Sequence, residues 1–214
     1  MFTGIIQSML PVKAIAKHEG MTNLTIEFPD TLLTGLETGA SVAINGVCLT
    51  VTTIQRQDVT FDAVRETLAL SNLKFLTDGT QVNVERSAKH DAEIGGHVLS
   101  GHVMGLAKVV SVEASENNCR MTFSMPGEWM RYIFNKGFLA INGASLTVAA
   151  CEKDHFAVNL IPETLARTNF SLLKAQDMVN IEIDAQTQII VDTVERVLAE
   201  RHDSEKINDP VKTI

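Results

Sequence analysis

Cysteine, tryptophan and tyrosine are scarce in this chain, and long runs of one character are missing. Three cysteines, Cys48, Cys119 and Cys151, are odd in number and lack metal-type spacing, so they predict reduced thiols in a cytoplasmic setting rather than a disulfide framework. One Trp and one Tyr leave no aromatic platform for stacked bases. With no basic run, a net charge of −8 repels a phosphate backbone or an anionic membrane surface. These absences argue against nucleic acid and membrane as partners. No stretch of about 18 apolar residues occurs, and Met1-Phe2-Thr3-Gly4 opens neither a charged n-region nor a long apolar run. The expectation is a soluble, unprocessed, cytoplasmic protein.

What the chain does have is a copy of itself. Ala43-Ile44-Asn45-Gly46-Val47-Cys48-Leu49-Thr50-Val51 returns 97 positions later as Ala140-Ile141-Asn142-Gly143-Ala144-Ser145-Leu146-Thr147-Val148, with seven of nine residues identical. The same shift carries Glu66-Thr67-Leu68-Ala69 onto Glu163-Thr164-Leu165-Ala166, Asn72 onto Asn169, Glu85 onto Glu182 and Gly4 onto Gly101. A register held over such a length means that one structural unit is duplicated. Two domains of about 90 residues suit the chain length.

Short apolar spans with near period-two alternation, such as Leu24–Phe28, Val59–Phe61 and Val82–Glu85, predict antiparallel strands, and matching spans recur in the second half. Asn45-Gly46 and Asn142-Gly143 each sit between two strands, where Asn-Gly supplies the positive φ angles of a tight hairpin. Roughly six strands per half favour closure into a barrel, which removes exposed edges. The fold class is therefore all-β with two tandem barrels. Short helices are expected from Pro29 and Pro126 and again at Glu66 and Glu163. The polar stretch 86–96, ending in Gly95-Gly96, reads as the linker, giving barrels over 1–90 and 97–186. Ile190, Val194, Val197, Leu198 and Arg201 recur at helical spacing and predict an amphipathic helix over 187–201, with Thr187 as its cap. That helix either lies across a barrel or pairs with copies of itself. Residues 202–214 read as a frayed tail.

Cys48 and Thr50, like Ser145 and Thr147, alternate along a strand and so point to one face. A thiol or hydroxyl followed by a hydroxyl, matched in both halves, points to a polar ligand. The halves also differ, with His102 at the place of Ile5, Cys48 of Ser145, Asp62 of Asn159 and Lys136 of Gly39. Two similar pockets with unlike polar groups can hold one molecule in two roles. His97 and His102 form the densest titratable cluster, but a spacing of five on an extended strand sends their rings to opposite faces and argues against a metal site. His102 is read as a ligand-contacting base or donor.

The motifs Met1-Phe2-Thr3-Gly4-Ile5-Ile6, Asn45-Gly46-Val47-Cys48-Leu49-Thr50, Gly95-Gly96-His97-Val98-Leu99-Ser100-Gly101-His102, Ile161-Pro162-Glu163-Thr164-Leu165 and Asp192-Thr193-Val194-Glu195-Arg196 together resemble the riboflavin synthase family. This is the trimeric type with two tandem lumazine-binding repeats. The resemblance implies two six-stranded Greek-key barrels, a C-terminal helix that gathers three chains, and dismutation of 6,7-dimethyl-8-ribityllumazine to riboflavin and 5-amino-6-ribitylaminouracil without metal or redox cofactor. Carried over by motif, one lumazine contacts Gly4, Ile5 and Ile6, then Cys48, Leu49 and Thr50, then Asp62, Ala63, Val64, Arg65, Glu66 and Thr67. The other contacts Gly101, His102, Val103 and Lys136, then Ser145, Leu146 and Thr147, then Ile161, Pro162, Glu163, Thr164, Leu165 and Ala166. The implied catalytic set is His102, Cys48, Ser145 and Thr147. A complete site is expected to join the first barrel of one chain to the second barrel of its neighbour. Some members carry an acidic residue where this chain has Asn142.

Overall fold

The computed structural model describes residues 1–208, with side chains described as far as Arg201. The first barrel comprises β1 (Ser8–His18), β2 (Met21–Glu27), β3 (Ser41–Ile44), β4 (Val47–Gln55), β5 (Asp58–Val64) and β6 (Gln81–Arg86), closed in the order β1-β2-β5-β4-β3-β6. The second comprises β7 (Gly105–Ala114), β8 (Cys119–Ser124), β9 (Phe138–Ile141), β10 (Ala144–Cys151), β11 (His155–Leu160) and β12 (Met178–Ile183). Its order, β7-β8-β11-β10-β9-β12, repeats that of the first. All pairings are antiparallel, and inward residues such as Leu24, Ile26, Phe61 and Val84 are fully buried, as are Phe123, Phe156, Val158 and Ile181. The short helices α1 (Asp30–Leu33), α2 (Arg65–Leu70) and α3 (Pro162–Arg167) fall where the sequence places them, and the turn after Pro126 is a 3-10 helix over Gly127–Tyr132.

Both Asn-Gly dipeptides adopt the expected turn, with φ of 47° and 80° at Asn45 and Gly46 and 44° and 81° at Asn142 and Gly143. Two consecutive positive φ angles make a type I′ hairpin, whose twist matches that of the strands it joins. The first strand of each barrel lies outside the period-two reading. Register shifts at Val12/Ala14 in β1 and Val109/Ser111 in β7 explain this, because a bulge resets which residues face inward. Equivalent bulges at Val51/Thr53 and Val148/Ala150 bend β4 and β10 around their barrels.

The barrels meet about an approximate twofold axis. Phe2 and Leu99, equivalent in the repeat, exchange backbone hydrogen bonds of 2.8 and 3.0 Å as an isolated antiparallel bridge. Six buried asparagines knit the rest. Asn72 N–H donates to Asn180 Oδ1 at 2.6 Å and Asn169 N–H to Asn83 Oδ1 at 2.8 Å. Asn83 Nδ2 reaches the Asn142 carbonyl at 3.0 Å, and Asn180 Nδ2 the Asn45 carbonyl at 2.8 Å. Buried amides are tolerated only when paired in this way.

After the barrels, α4 spans Ala185–Asn208. It begins two residues before the expected cap Thr187, immediately after Asp184, a residue type favoured ahead of a helix. It also continues past Arg201 through part of the stretch read as a tail. Loss of the apolar stripe ended the sequence pattern there, but Glu205 and Lys206 are good helix formers and the breaker, Pro210, comes later. Residues 209–214 of that expected tail lie outside the described residues.

Candidate ligand-binding site

Each barrel opens along one seam. The β4–β5 ladder ends at Val51↔Phe61 and the β10–β11 ladder at Val148↔Val158. From there the strands part, with Cys48–Thr50 and Asp62–Val64 on the two lips of one seam and Ser145–Thr147 and Asn159–Ile161 on those of the other. Cys48 and Ser145 sit at alternate positions of a tight hairpin, where the N–H and C=O turn away from the hairpin partner and toward the seam. Along β4, Val47, Leu49 and Val51 face the core, while Cys48 is half-buried and Thr50 exposed on the outer face. Ser145 and Thr147 repeat this outward placement. Leu49 and Ala63 are buried, so they offer only backbone to the seam. The far lips run into α2 and α3, whose preceding residues Val64 and Ile161 are exposed apolar side chains, 52% and 61% accessible.

The Gly4 and Gly101 segments cross over. Gly101 O accepts the Cys48 N–H at 2.9 Å, and Gly4 O accepts the Ser145 N–H at 2.9 Å. Both glycines have positive φ, +75° and +80°, and a Cβ on either would stand 2.5 Å from the Cβ of Ser145 or Cys48. Only glycine fits. The resemblance grouped Gly4, Ile5 and Ile6 with Cys48, and Gly101, His102 and Val103 with Ser145. The structure sets Gly4 against Ser145 and Gly101 against Cys48, because the chain segments cross at the Phe2↔Leu99 bridge. Ile5 and His102, which follow these glycines, are exposed, whereas Ile6 is buried. Lys136 belongs to the Ser145 barrel, where its N–H donates to Val148 O at 2.9 Å. It holds φ at 65° where the first half has Gly39, an uncommon conformation for a residue with a side chain. Asp62 accepts from Asn23 Nδ2 at 2.5 Å. Glu66 and Arg65 are exposed, and Thr67 and Thr164 are half-buried at the start of their helices. Pro162, Glu163 and Ala166 are exposed on α3, with Leu165 half-buried.

Three further residues complete the seams: His97, weighed from the sequence only as a metal candidate, and Phe138 and Ser41, which the sequence did not single out. His97 is buried, and its Nδ1 lies 2.6 Å from Ser145 Oγ. Its ring stacks on Phe138, with centroids 5.5 Å apart and planes at 21°. Burial holds the imidazole below the ordinary histidine range, with the Asp184 carboxylate acting in the opposite sense. Nε2 is buried without a hydrogen-bond partner among the described residues. Phe138 stands opposite Thr147 across the hairpin, and its counterpart Ser41 stands opposite Thr50. The Cys48 seam therefore holds Ser41 and the Gly101–His102 segment, and the Ser145 seam holds His97, Phe138 and the Gly4–Ile5 segment.

Two closed barrels related by duplication, each with an outward seam of backbone polar groups and a half-buried thiol or hydroxyl, define a protein with paired half-sites for small polar ligands. The lumazine binding domain model matches twice, over residues 3–87 and 100–184. The chain is 50% identical to riboflavin synthase of Escherichia coli (strain K12) over 211 residues, 98% of each chain. It is 44% identical to that of Chlamydia pneumoniae over 199 residues, 93% of this chain and 98% of the relative. Among solved structures it resembles LumP complexed with 6,7-dimethyl-8-(1′-D-ribityl)lumazine, with a TM-score of 0.79 and 27% identity over 86% of this chain and 99% of that one. The riboflavin-complexed form of LumP gives 0.80 and 28%, covering 86% of this chain and all of that one. The chain belongs to the riboflavin synthase family, enzymes built on a repeated lumazine-binding domain.

Proposed function

We propose that the chain converts two molecules of 6,7-dimethyl-8-ribityllumazine into riboflavin and 5-amino-6-ribitylaminouracil, one molecule giving a four-carbon unit to the other. The observation that carries this reading is the pair of seams: same backbone, same offset of 97, unlike polar groups. A carrier of one chromophore needs a single seam. A reaction between two copies of one molecule needs two, and holding both in near-attack geometry can lower the barrier by about 7–11 kcal/mol.

One lumazine would lie between Cys48, Thr50, Asp62, Thr67 and the Gly101–Val103 segment, and the other between Ser145, Thr147, Ile161, Thr164 and the Gly4–Ile6 segment. Backbone N–H and C=O groups of the seams suit the alternating donors and acceptors of a pyrimidinedione edge, and Val64 and Ile161 supply apolar contact for the ring. His102 is exposed beside the Cys48 seam and is free to take a proton from the C7 methyl group of a bound ring, leaving a carbanion that spreads into the heterocycle. Cys48, Ser145 and Thr147 orient the rings and the adding nucleophile. The complete site joins the Cys48 seam of one chain to the Ser145 seam of a neighbour in a trimer, and the exposed apolar residues of α4 support such an assembly.

Mixing the purified protein with the lumazine is expected to produce riboflavin absorbance, one riboflavin per two lumazines consumed. Lumazine bound but unchanged would leave a chromophore carrier instead. His102→Gln is expected to lower kcat by about 10²-fold, the lower end of general acid–base contributions. Wild-type turnover in that variant at saturating substrate would remove His102 from the proton transfer.

A further inference from the structure

Glu85 and Glu182 are equivalent in the repeat, both buried, and each accepts its hydrogen bonds from backbone N–H and hydroxyl donors. Glu85, on β6 of the first barrel, accepts the Thr3 N–H at 2.6 Å, the Thr3 hydroxyl at 2.8 Å and the Gly4 N–H at 3.1 Å. Glu182, on β12 of the second barrel, accepts the Ser100 N–H at 2.7 Å, the Ser100 hydroxyl at 2.8 Å and the Gly101 N–H at 3.1 Å. Each hydroxyl then accepts one more backbone donor, Ile5 N–H onto Thr3 Oγ1 at 3.2 Å and His102 N–H onto Ser100 Oγ at 3.1 Å. The ordered glycines in turn bond to the opposite barrel, Gly4 O to Ser145 N–H and Gly101 O to Cys48 N–H.

We propose that these two carboxylates are positioning residues wired across the molecule, each anchored in one barrel and setting the backbone of the half-site in the other. Glu182 of the second barrel places Gly101 against Cys48 and fixes the main chain that carries His102. Glu85 of the first barrel places Gly4 against Ser145 and fixes the main chain that carries Ile5. A carboxylate does this where an amide could not, because each segment presents only donors and an ionised carboxylate is acceptor-only. The wiring gives the duplication a mechanical consequence: neither half-site is formed by its own barrel alone.

The inference rests on reading the seams as half-sites, and its labelling test uses no substrate, so the two fail separately. In the full-length protein, alkylation of Cys48 by iodoacetamide is followed by peptide mass spectrometry, with Cys119, which is buried, as a control for global loosening. Glu182→Gln is expected to speed Cys48 labelling about tenfold, the factor that follows from losing one hydrogen bond to a charged group, and Glu85→Gln to leave it unchanged although Glu85 shares a barrel with Cys48. Ser100→Ala and Thr3→Val are milder probes of the same links and are expected to follow the same pattern if either Gln variant labels at Cys119. A kcat loss in Glu182→Gln larger than its KM change accompanies the displaced His102. Equal labelling in the Glu85 and Glu182 variants, or faster labelling in the Glu85 variant, overturns the wiring. The expected labelling pattern in a protein that forms no riboflavin would uphold the wiring and remove the enzymatic reading.

Discussion

At the scale of single residues, His97 has no counterpart. The equivalent position in the first half precedes Met1, so comparing the halves could not expose it, whereas Cys48 and Ser145 stood out because each had a sibling. Its bond to Ser145 needs the segment 95–97 to lie against the second barrel, which spacing along the chain does not contain. The buried ring also links stability to pH. The folded protein binds a proton at His97 less readily than the unfolded chain, whose histidine titrates near 6.5. Stability is therefore complete above that value and declines as pH falls toward the depressed folded value. Urea denaturation across this window is expected to show the decline, and His97→Gln to flatten it. Exposed His102 and buried His97 show how little spacing reveals about environment: five positions apart, they serve different seams.

Among elements, the hairpin turns carry the tightest constraint. Gly46 and Gly143 meet backbone to backbone at the approximate twofold, where a Cβ on Gly46 would lie 2.6 Å from Gly143 N and one on Gly143 would lie 2.7 Å from Gly46 N. Positive φ adds strain for any other residue, so Gly46→Ala is expected to destabilise by about 2 kcal/mol or more, measured by thermal or urea unfolding. The Asn-Gly signal foretold the turn but not this contact. The neighbouring amides make a second case. Asn180 donates to Asn45 O and Asn72 Oδ1 at 2.8 and 2.9 Å and accepts from Asn72 N–H, all buried. Asn180→Ala strands several of these groups, and a loss of about 3 kcal/mol is expected. Asn142 Oδ1 accepts from Asn72 Nδ2 and from the Asn180 backbone N–H, and its Nδ2 donates to Asn169 Oδ1. An acidic residue there would keep the acceptors and lose that one donor.

At the scale of the whole molecule, α4 carries Ile189, Ile190, Val194, Val197 and Leu198 at 41–66% exposure, an apolar surface that one chain leaves in water. Assembly would cover it. For the proposed trimer, Ile190→Glu with Val194→Glu is expected to shift sedimentation to monomer and to abolish turnover while the barrels stay folded by circular dichroism, since each seam would lose the partner proposed for it in the neighbouring chain. The sequence by itself determined the duplication, the all-β class, the two hairpins and the shared face of Cys48 with Thr50 and of Ser145 with Thr147, because these depend on local alternation, on turn chemistry and on a repeat visible in one dimension. The bulged first strands escaped it, since a bulge breaks the alternation that marks a strand. Only the tertiary structure decided which segment serves which seam. Equivalence under a shift of 97 says that Gly4 matches Gly101, yet proximity is a property of the folded chain, and there the crossing at Phe2 and Leu99 hands each glycine to the other barrel.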